Sequence, residues 1–303
     1  MKLLLILVVA LIGSAIADDD DIVWTEEMVN GYTVEDYSVT TEDGYILGVH
    51  RILASPVSPA AYGKPVVFLM HGLLCSSADW IIMGPRSGLG YILADAGFDV
   101  WMGNARGNTY SKRHTTITDL SGEDFWEFSW NEIGYYDLPA MIDFALAITG
   151  QEKVIYIGHS QGTTSFYTMM SQRTEYNDKI KVMFSLAPVA YMGNLKSPLL
   201  RLASPAVNTL STILKLFGVY EFMPTSEAIN IAGHLFCNDD ALTQVLCTNV
   251  LFVLCGFNKA QLNTVSQFIS QTRISIRSNV NNYSMIYFGN VNYFANRLCC
   301  RPS

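Results

Sequence analysis

Positive charge is scarce in this sequence of 303 residues. Its 19 Lys and Arg stand against 27 Asp and Glu, which gives a formal net charge of −8, and charged residues make up only 15% of the chain. A protein that binds nucleic acid phosphates without sequence preference needs a basic surface, so this balance argues against nucleic acid as a partner. With 50% apolar residues, the chain is also too hydrophobic to be disordered.

An apolar run long enough to cross a bilayer as a helix, about 20 residues, is also missing, so no transmembrane helix is predicted. The run Leu3–Ile12 follows Lys2 and precedes the small-residue motif Ala15–Ala17. These are the features of a secretory signal. We therefore expect residues 1–17 to form a signal peptide that is cleaved near Ala17, and a secreted or lysosomal product.

Closely spaced cysteine pairs of the kind that bind zinc are lacking, and the histidines His50, His71 and His114 are dispersed, so no metal site is expected. Six cysteines in a secreted protein of this size supplement a fold and do not form its framework. Cys237 and Cys247 are ten residues apart and are close enough in sequence to pair. No feature of the sequence calls for a cofactor.

The sequence does contain apolar strands that alternate with helix-like stretches. Two short strands, Thr33–Val39 and Tyr45–Ile52, are joined by a turn-rich segment and predict a hairpin. Continuous apolar runs indicate buried parallel strands, and such strands alternating with helices predict an α/β fold, a three-layer sandwich around a mostly parallel central sheet. The runs are Pro65–Met70, Gly97–Met102, Lys153–Ile157 and Ile180–Leu186, and the helical stretches are Leu89–Ala96, Tyr136–Thr149 and Gln161–Met170.

The pattern changes along the chain and indicates where domains begin and end. We expect the sandwich core over residues 18–190. From about Tyr191, helical segments punctuated by Pro and Ser replace the buried strands and predict an inserted helical cap over residues 191–270. Residues 271–303 form a divergent tail rich in Asn and Ser, and this tail holds an N-x-S sequon at Asn282, a candidate glycosylation site.

The pentapeptide Gly158-His159-Ser160-Gln161-Gly162 follows a predicted strand and precedes a predicted helix. In that context G-x-S-x-G forms a sharp bend that lifts the serine oxygen above the sheet, so Ser160 is the candidate nucleophile. Gly158 and Gly162 are expected because side chains there would collide with neighbouring elements. His159 is not expected to be the base, because neighbouring side chains diverge at a tight turn. The alternative is an ordinary strand-to-helix turn.

The segment His71-Gly72-Leu73-Leu74 ends an earlier predicted strand. At that position the backbone N–H groups of Leu73 and Gln161 would both point at the oxygen that becomes negative when Ser160 attacks an ester. These two N–H groups are therefore the candidate oxyanion donors. The alternative is a simple turn at the end of the strand.

Several long segments together resemble the acid lipase family, an α/β-hydrolase family that includes gastric and lysosomal acid lipases. The resemblance implies that Ser160 is the nucleophile, that Leu73 and Gln161 are the oxyanion donors, and that Cys237 and Cys247 form a disulfide in the cap. It also implies neutral lipid esters, such as triacylglycerols or sterol esters, as substrates at a lipid–water interface. The segments are VTTEDGYILGVHRI (Val39–Ile52), HGLL (His71–Leu74), GFDVWMGNARGN (Gly97–Asn108), GHSQG (Gly158–Gly162), FSLAPVAY (Phe184–Tyr191) and VLCTNVLFVLCGFN (Val245–Asn258).

The acid and the histidine that complete the family's catalytic triad are not found. Both follow the nucleophile in this fold, yet His234 is the only histidine after Ser160 in this sequence. The resemblance fades near Gln271, and we expect the last core strands to be missing. Three interpretations stay open: a lipase cut short at its C terminus, a shortened lipid-binding relative without catalysis, and an active enzyme that uses His234 as the base.

Overall fold

The computed structural model describes residues 31–191, Lys215, Tyr220 and the backbone of Ile286–Phe288. The predicted signal peptide (1–17), nearly all of the predicted cap (191–270) and most of the tail (271–303) lie outside the described residues. The same is true of His234, Cys237, Cys247 and Asn282. What the sequence predicts for them stays a prediction.

The strands of the described residues form one mixed sheet. They are β1 (Thr33–Thr40), β2 (Ile46–Ala54), β3 (Val66–Met70), β4 (Asp99–Gly103), β5 (Val154–His159), β6 (Ile180–Leu186) and β7 (Ile286–Phe288). Their order in the sheet is β1-β2-β4-β3-β5-β6-β7. The four central strands β4, β3, β5 and β6 are parallel. β1 and β2 form the predicted hairpin, and β7 pairs antiparallel with β6.

Helices connect the parallel strands. They are α1 (Leu89–Asp95), α2 (Glu123–Trp126), α3 (Trp130–Glu132), α4 (Leu138–Thr149) and α5 (Gln161–Gln172). Short 3₁₀ helices lie at Ser77–Trp80, Thr109–Ser111 and Thr174–Lys179, and a π-helical turn at Ile133–Asp137 leads into α4. In the described part of the chain, no helix has the length and apolar character needed to span a membrane.

The local sequence explains where these elements end. Pro139 lies in the first turn of α4, where its missing N–H has no intrahelical partner to lose, and Gly150 ends the helix at a φ of 66°. Gly97 has a φ of 93° and donates its N–H to Ala94, so it closes the turn after α1. Because Gly97 belongs to that turn, β4 begins at Asp99, two residues later than the sequence predicted.

Both faces of the sheet are covered, as the apolar runs predicted. On one face, Tyr91 and Ala94 of α1 pack in a buried cluster with side chains of β3, β4 and β5. On the other face, Phe68 of β3 stacks on Tyr156 of β5 at 6.0 Å between ring centroids, and Tyr156 contacts Phe166 of α5 at 4.6 Å. Helices on both faces of a largely parallel sheet confirm the predicted three-layer sandwich.

The chain divides into two compact units. The unit that contains the sheet comprises Asp20–Leu120, Glu127–Ala190 and Tyr283–Ser303, and the other comprises Met1–Asp19, Ser121–Trp126 and Tyr191–Asn282. In the second unit, Lys215 Nζ lies 2.7 Å from Glu123 Oε1. The domain boundaries at residues 17, 190 and 270 stay predictions.

Candidate active site

Ser160 occupies a strained bend between β5 and α5. Its φ of 49° and ψ of −113° lie in a region that residues with a side chain rarely adopt, at a cost of about 1–3 kcal/mol. Three hydrogen bonds hold the bend. The Ser160 N–H donates to Leu186 C=O at 2.9 Å, and the Ser160 C=O accepts from the N–H and hydroxyl of Thr163 at 2.9 and 2.6 Å. Ser160 itself is partly exposed and does not belong to the buried core.

Gly158 and Gly162 leave no room for a side chain. A Cβ atom on Gly162 would lie 2.5 Å from the carbonyl oxygen of Met70, and one on Gly158 would lie 2.9 Å from Cε1 of Tyr156. The first turn of α5 therefore packs directly against the end of β3. This close approach is the steric reason that the bend has glycine on both sides of the serine.

The loop that follows β3, residues His71–Ser76, begins against the serine, and we call it the β3 loop. A Cβ atom on Gly72 would lie 3.1 Å from Cβ of Ser160 and 3.0 Å from Nδ1 of His159. Leu73 follows immediately, and within the described residues its N–H has no hydrogen-bond acceptor. Gln161 is the first residue of α5, so its N–H has no intrahelical partner. Both predicted donors thus lie in segments that border Ser160.

Backbone strain is concentrated at this edge of the sheet. Among the described residues, the non-glycine residues with positive φ are Leu74 (60°), Ser160 (49°) and Ala187 (48°). Each follows the carboxyl end of a parallel strand, namely β3, β5 and β6. Ligands of open α/β sheets bind outside the carboxyl ends of the strands, and strained residues cluster at functional sites.

His71 ties the β3 loop to the segment after β4. Its Nδ1 lies 2.7 Å from the Gly72 carbonyl oxygen, and its Nε2 accepts the backbone N–H of Ala105 at 3.1 Å. The Asn108 side-chain nitrogen lies 3.1 Å from the same Nε2. Burial lowers the pKa of His71 to about 4, and the nearby His159 acts in the same direction.

A second set of polar side chains holds the far end of the β3 loop. Asn104 donates from its amide nitrogen to Ser77 Oγ at 3.1 Å and accepts the Ser77 N–H at 2.9 Å. Ser77 Oγ also lies 2.6 Å from Nδ1 of His50, which ties this loop end to β2. The other ring nitrogen of His50 lies 3.8 Å from an Asp36 carboxylate oxygen.

Arg106 anchors the segment after β4 to the rest of the fold. Its Nε donates to Asp137 at 2.8 Å and its Nη1 donates to Asp43 at 2.6 Å, and its backbone N–H donates to Asp137 at 3.0 Å. The guanidinium lies 3.9 Å from the centre of the Tyr45 ring. Burial opposes the charged form, but the charge and hydrogen bonds of Asp137 and Asp43 outweigh it and raise the pKa of Arg106.

Stability should fall in acid through His50. Burial lowers its pKa from 6.5 to about 4, against the opposing charge of Asp36. The unfolded chain binds a proton below pH 6.5 while the folded chain stays neutral, so the contribution of His50 is complete above pH 6.5 and is lost as the pH falls to 4. From about 1.4 kcal/mol per pKa unit, it amounts to about 3 kcal/mol.

Urea unfolding at pH 7 and pH 4 measures this contribution. His50→Gln cannot titrate, so its loss of stability between the two pH values should be about 3 kcal/mol smaller than that of the wild type. Equal losses in the two proteins would show that the buried imidazole is not what acid destabilises.

The residues that support the β3 loop were not found from the sequence. From the sequence, His71 is only the first residue of the strand-ending segment and a rejected metal ligand, and Asn104, Arg106 and Asn108 have no separate role. One feature of the sequence could have identified them: they lie in the segments HGLL and GFDVWMGNARGN, where polar residues directly follow buried strands. In the described part of the chain, no cluster of His, Cys, Asp and Glu is suited to hold a metal ion.

Comparison with known proteins agrees with the fold and with the motifs. The model of the partial α/β-hydrolase lipase region matches residues 27–84, and the model of the α/β hydrolase fold matches residues 65–211. Lipase 3 of Drosophila melanogaster is 50% identical over 234 residues, which cover 77% of this chain and 59% of that protein.

Mammalian relatives match to a similar extent. Human lysosomal acid lipase/cholesteryl ester hydrolase is 47% identical over 77% of this chain and 57% of its own length. Gastric triacylglycerol lipase of Mus musculus is 45% identical over 78% of this chain and 59% of its own length. The chain thus spans somewhat more than half the length of these relatives. The chain is therefore similar to acid and gastric lipases over about three quarters of its length, and it has the fold of the α/β-hydrolases.

Proposed function

We propose that this chain is a serine ester hydrolase that acts on neutral lipids by two-step acyl transfer. The Ser160 hydroxyl oxygen attacks the ester carbonyl, and collapse of the tetrahedral intermediate expels the alcohol and leaves the acyl group on the serine. Water then attacks this acyl-enzyme and releases the fatty acid. In both steps the N–H groups of Leu73 and Gln161 donate to the oxygen that carries the negative charge. Neither step uses a metal or a cofactor.

The main structural support for this proposal is the contact between the β3 loop and Ser160, the strained serine. Gly72 approaches Ser160 so closely that a Cβ atom would lie 3.1 Å from that of the serine. This closeness supports the proposal that the next peptide N–H, that of Leu73, donates to the oxyanion together with the Gln161 N–H at the start of α5. Two amides that border one hydroxyl are what acyl transfer needs for its oxyanion.

The substrate class and the compartment rest on the relatives. The matched human protein is named a cholesteryl ester hydrolase of the lysosome, and the matched mouse protein is named a gastric triacylglycerol lipase. For this chain we accordingly propose triacylglycerols or sterol esters as substrates and a secreted or lysosomal location. Leu73, which follows Gly72 in the β3 loop and is 57% exposed, offers an apolar side chain of the kind that an acyl chain requires.

The base that activates Ser160 is not assigned. In the described part of the chain, the rings of His50, His71 and His114 bind Ser77, Gly72 and Asp43 respectively. His234 lies outside the described residues. The engagement of the His50, His71 and His114 rings with partners other than Ser160 favours a second candidate function, a lipid-binding protein that resembles these lipases and holds neutral lipid without turnover.

A lipid panel separates the two candidates. Purified full-length chain is mixed with emulsions of tributyrin, triolein and cholesteryl oleate at pH 5 and pH 7, and with phosphatidylcholine vesicles as the matched control. Release of fatty acid from the neutral esters but not from the phospholipid is the expected result. Retention of neutral lipid by the protein without release from any ester would contradict hydrolysis and support the lipid-binding function.

A further inference from the structure

The bonds of the His71 ring fix which nitrogen carries its proton. A backbone N–H can only donate, so the contact with Ala105 makes Nε2 an acceptor without a proton. In the neutral ring the proton is then on Nδ1, which donates it to the Gly72 carbonyl oxygen at 2.7 Å. His71 is only 5% exposed, so water does not compete freely for these partners.

That donation orients one peptide group. A trans peptide is planar and points its C=O and N–H in opposite directions. With the Gly72 oxygen held by the His71 ring, the N–H of Leu73 points away from the ring. Gly72 itself packs against Ser160, and the same carbonyl oxygen also accepts the Cys75 N–H at 3.3 Å. The carbonyl therefore has two donors on one side, and the amide on the other side is left for the substrate.

We propose that His71 is a positioning residue for the oxyanion site: its neutral ring clamps the Gly72–Leu73 peptide so that the Leu73 N–H meets the oxygen that becomes negative during attack by Ser160. This inference rests on the proposed function, since an oxyanion forms only if Ser160 reacts. His71 does not touch the substrate. It acts through the peptide that it holds, and a preorganised donor spends no free energy on reorientation when the charge develops.

The ring is itself immobilised by the segment after β4. Ala105 and Asn108 hold Nε2, and between them Arg106 is bound through its backbone and side chain to Asp137. Asn108 also donates to Asn104 at 2.8 Å, which links His71 to the atoms that hold Ser77. The clamp therefore connects β3 with the end of β4, two adjacent parallel strands of the sheet.

Burial keeps the His71 ring neutral in mild acid, so its hydrogen bond to the Gly72 carbonyl oxygen is retained. Burial lowers the pKa of His71 to about 4. The titratable group that faces the ring is His159, whose pKa is also lowered by burial, and the other facing groups are the neutral amides of Ala105 and Asn108. Protonation of Nε2 would turn this acceptor into a donor, so that two donors, Nε2–H and the Ala105 N–H, would face each other. The ring would then leave its place, and the Leu73 amide would lose its orientation.

Variants of His71 test the clamp through the reaction rate of Ser160 with a fluorophosphonate probe. His71→Phe removes both bonds, and the loss of one oxyanion donor predicts a rate constant lower by about 10²–10³-fold with unchanged half-saturation by the probe. His71→Asn keeps an N–H near the Nδ1 position, and we expect its rate constant to be at least tenfold higher than that of His71→Phe. His71→Gln keeps only a contact at the Nε2 position and should react as slowly as His71→Phe.

The matched control is His114→Phe. His114 makes the same two kinds of bond with its ring nitrogens exchanged: Nε2 lies 3.0 Å from the Asp43 carbonyl oxygen, and Nδ1 accepts the Thr116 N–H at 3.1 Å, so its ring binds the β1–β2 turn and not the β3 loop. The His114→Phe protein should react with the fluorophosphonate probe at the wild-type rate. Thermal unfolding of every variant identifies those that are folded, and the comparison of His71→Asn with His71→Gln decides the matter if His71→Phe is unfolded.

A second measurement does not depend on reaction at Ser160. Nitrogen-15 NMR of the imidazole rings in the full chain is expected to show His71 as the neutral Nδ1–H form from pH 7 down to about pH 5. An Nε2–H form, or equal rates for His71→Asn and His71→Gln, would overturn the clamp. Failure of the wild type to react with the probe would instead overturn the proposed function, and the NMR result would still decide the geometry of His71.

Discussion

Replacing Ser160 by alanine is expected to reduce hydrolysis of a short-chain ester to the background rate in buffer. The serine oxygen forms the bond to the acyl group, and enzymes with a complete triad lose on the order of 10⁶ in kcat when this oxygen is removed. Initial rates of the two purified proteins at equal concentration measure the effect. Equal rates would show that hydrolysis in the preparation comes from another group.

The protein should become more stable when the backbone strain at Ser160 is relieved. Ser160→Gly is expected to raise the free energy of unfolding by about 1 kcal/mol or more, because glycine adopts a φ of 49° without steric conflict. Ser160→Ala keeps the strain and should change stability little. The control is Ser171→Gly in the last turn of α5, where glycine should cost about 0.5–1 kcal/mol. A Ser160→Gly protein that is less stable than the wild type would contradict the strained bend.

Arg106→Met is expected to be the most destabilising single change considered. The Asp137 side chain is fully buried and that of Arg106 is 1% exposed, so removal of the guanidinium leaves a buried carboxylate without its partner. Breaking a buried ion pair in this way costs about 3–5 kcal/mol. Denaturant unfolding at pH 7 measures the loss.

An arginine whose carboxylate partners are exposed to solvent supplies the control for this prediction. Arg173 pairs with Glu42 and Glu175, both more than half exposed, and Arg173→Met should cost at most about 1 kcal/mol because solvent screens such pairs. The double variant Arg106→Met with Asp137→Leu removes the unpaired charge and should recover part of the stability. Equal losses for Arg106→Met and Arg173→Met would refute the anchoring role of Arg106.

The sandwich was predictable because its signal is local. A strand buried on both faces is expected to be apolar at every position, as Val66–Met70 is, and Ile180–Leu186 departs from this pattern only at Lys181 and Ser185. The bend at Ser160 was predictable for the same reason, since glycines, strand and helix all lie within one short stretch. The π-helical turn Ile133–Asp137 has no such local pattern and was missed.

The support of the β3 loop was not predictable because its partners meet only in the folded sheet. His71 and Ala105 are 34 residues apart, and Arg106 and Asp43 are 63 residues apart. The first contact depends on the register of β3 and β4, with Met70 opposite Gly103, and the second depends on the pairing of β2 with β4, with Val49 opposite Gly103. The sequence predicts that these strands are in the sheet, but it does not predict which of their neighbouring loop residues face one another.

Mass spectrometry of the full-length chain after incubation with a fluorophosphonate is the most direct test of Ser160 as the nucleophile. If Ser160 is the nucleophile, we expect a single adduct, which peptide mapping locates on Ser160. The adduct should be absent when the chain is unfolded in urea before incubation. A folded chain whose Ser160 peptide stays unmodified, or an adduct on a different residue, would contradict this assignment.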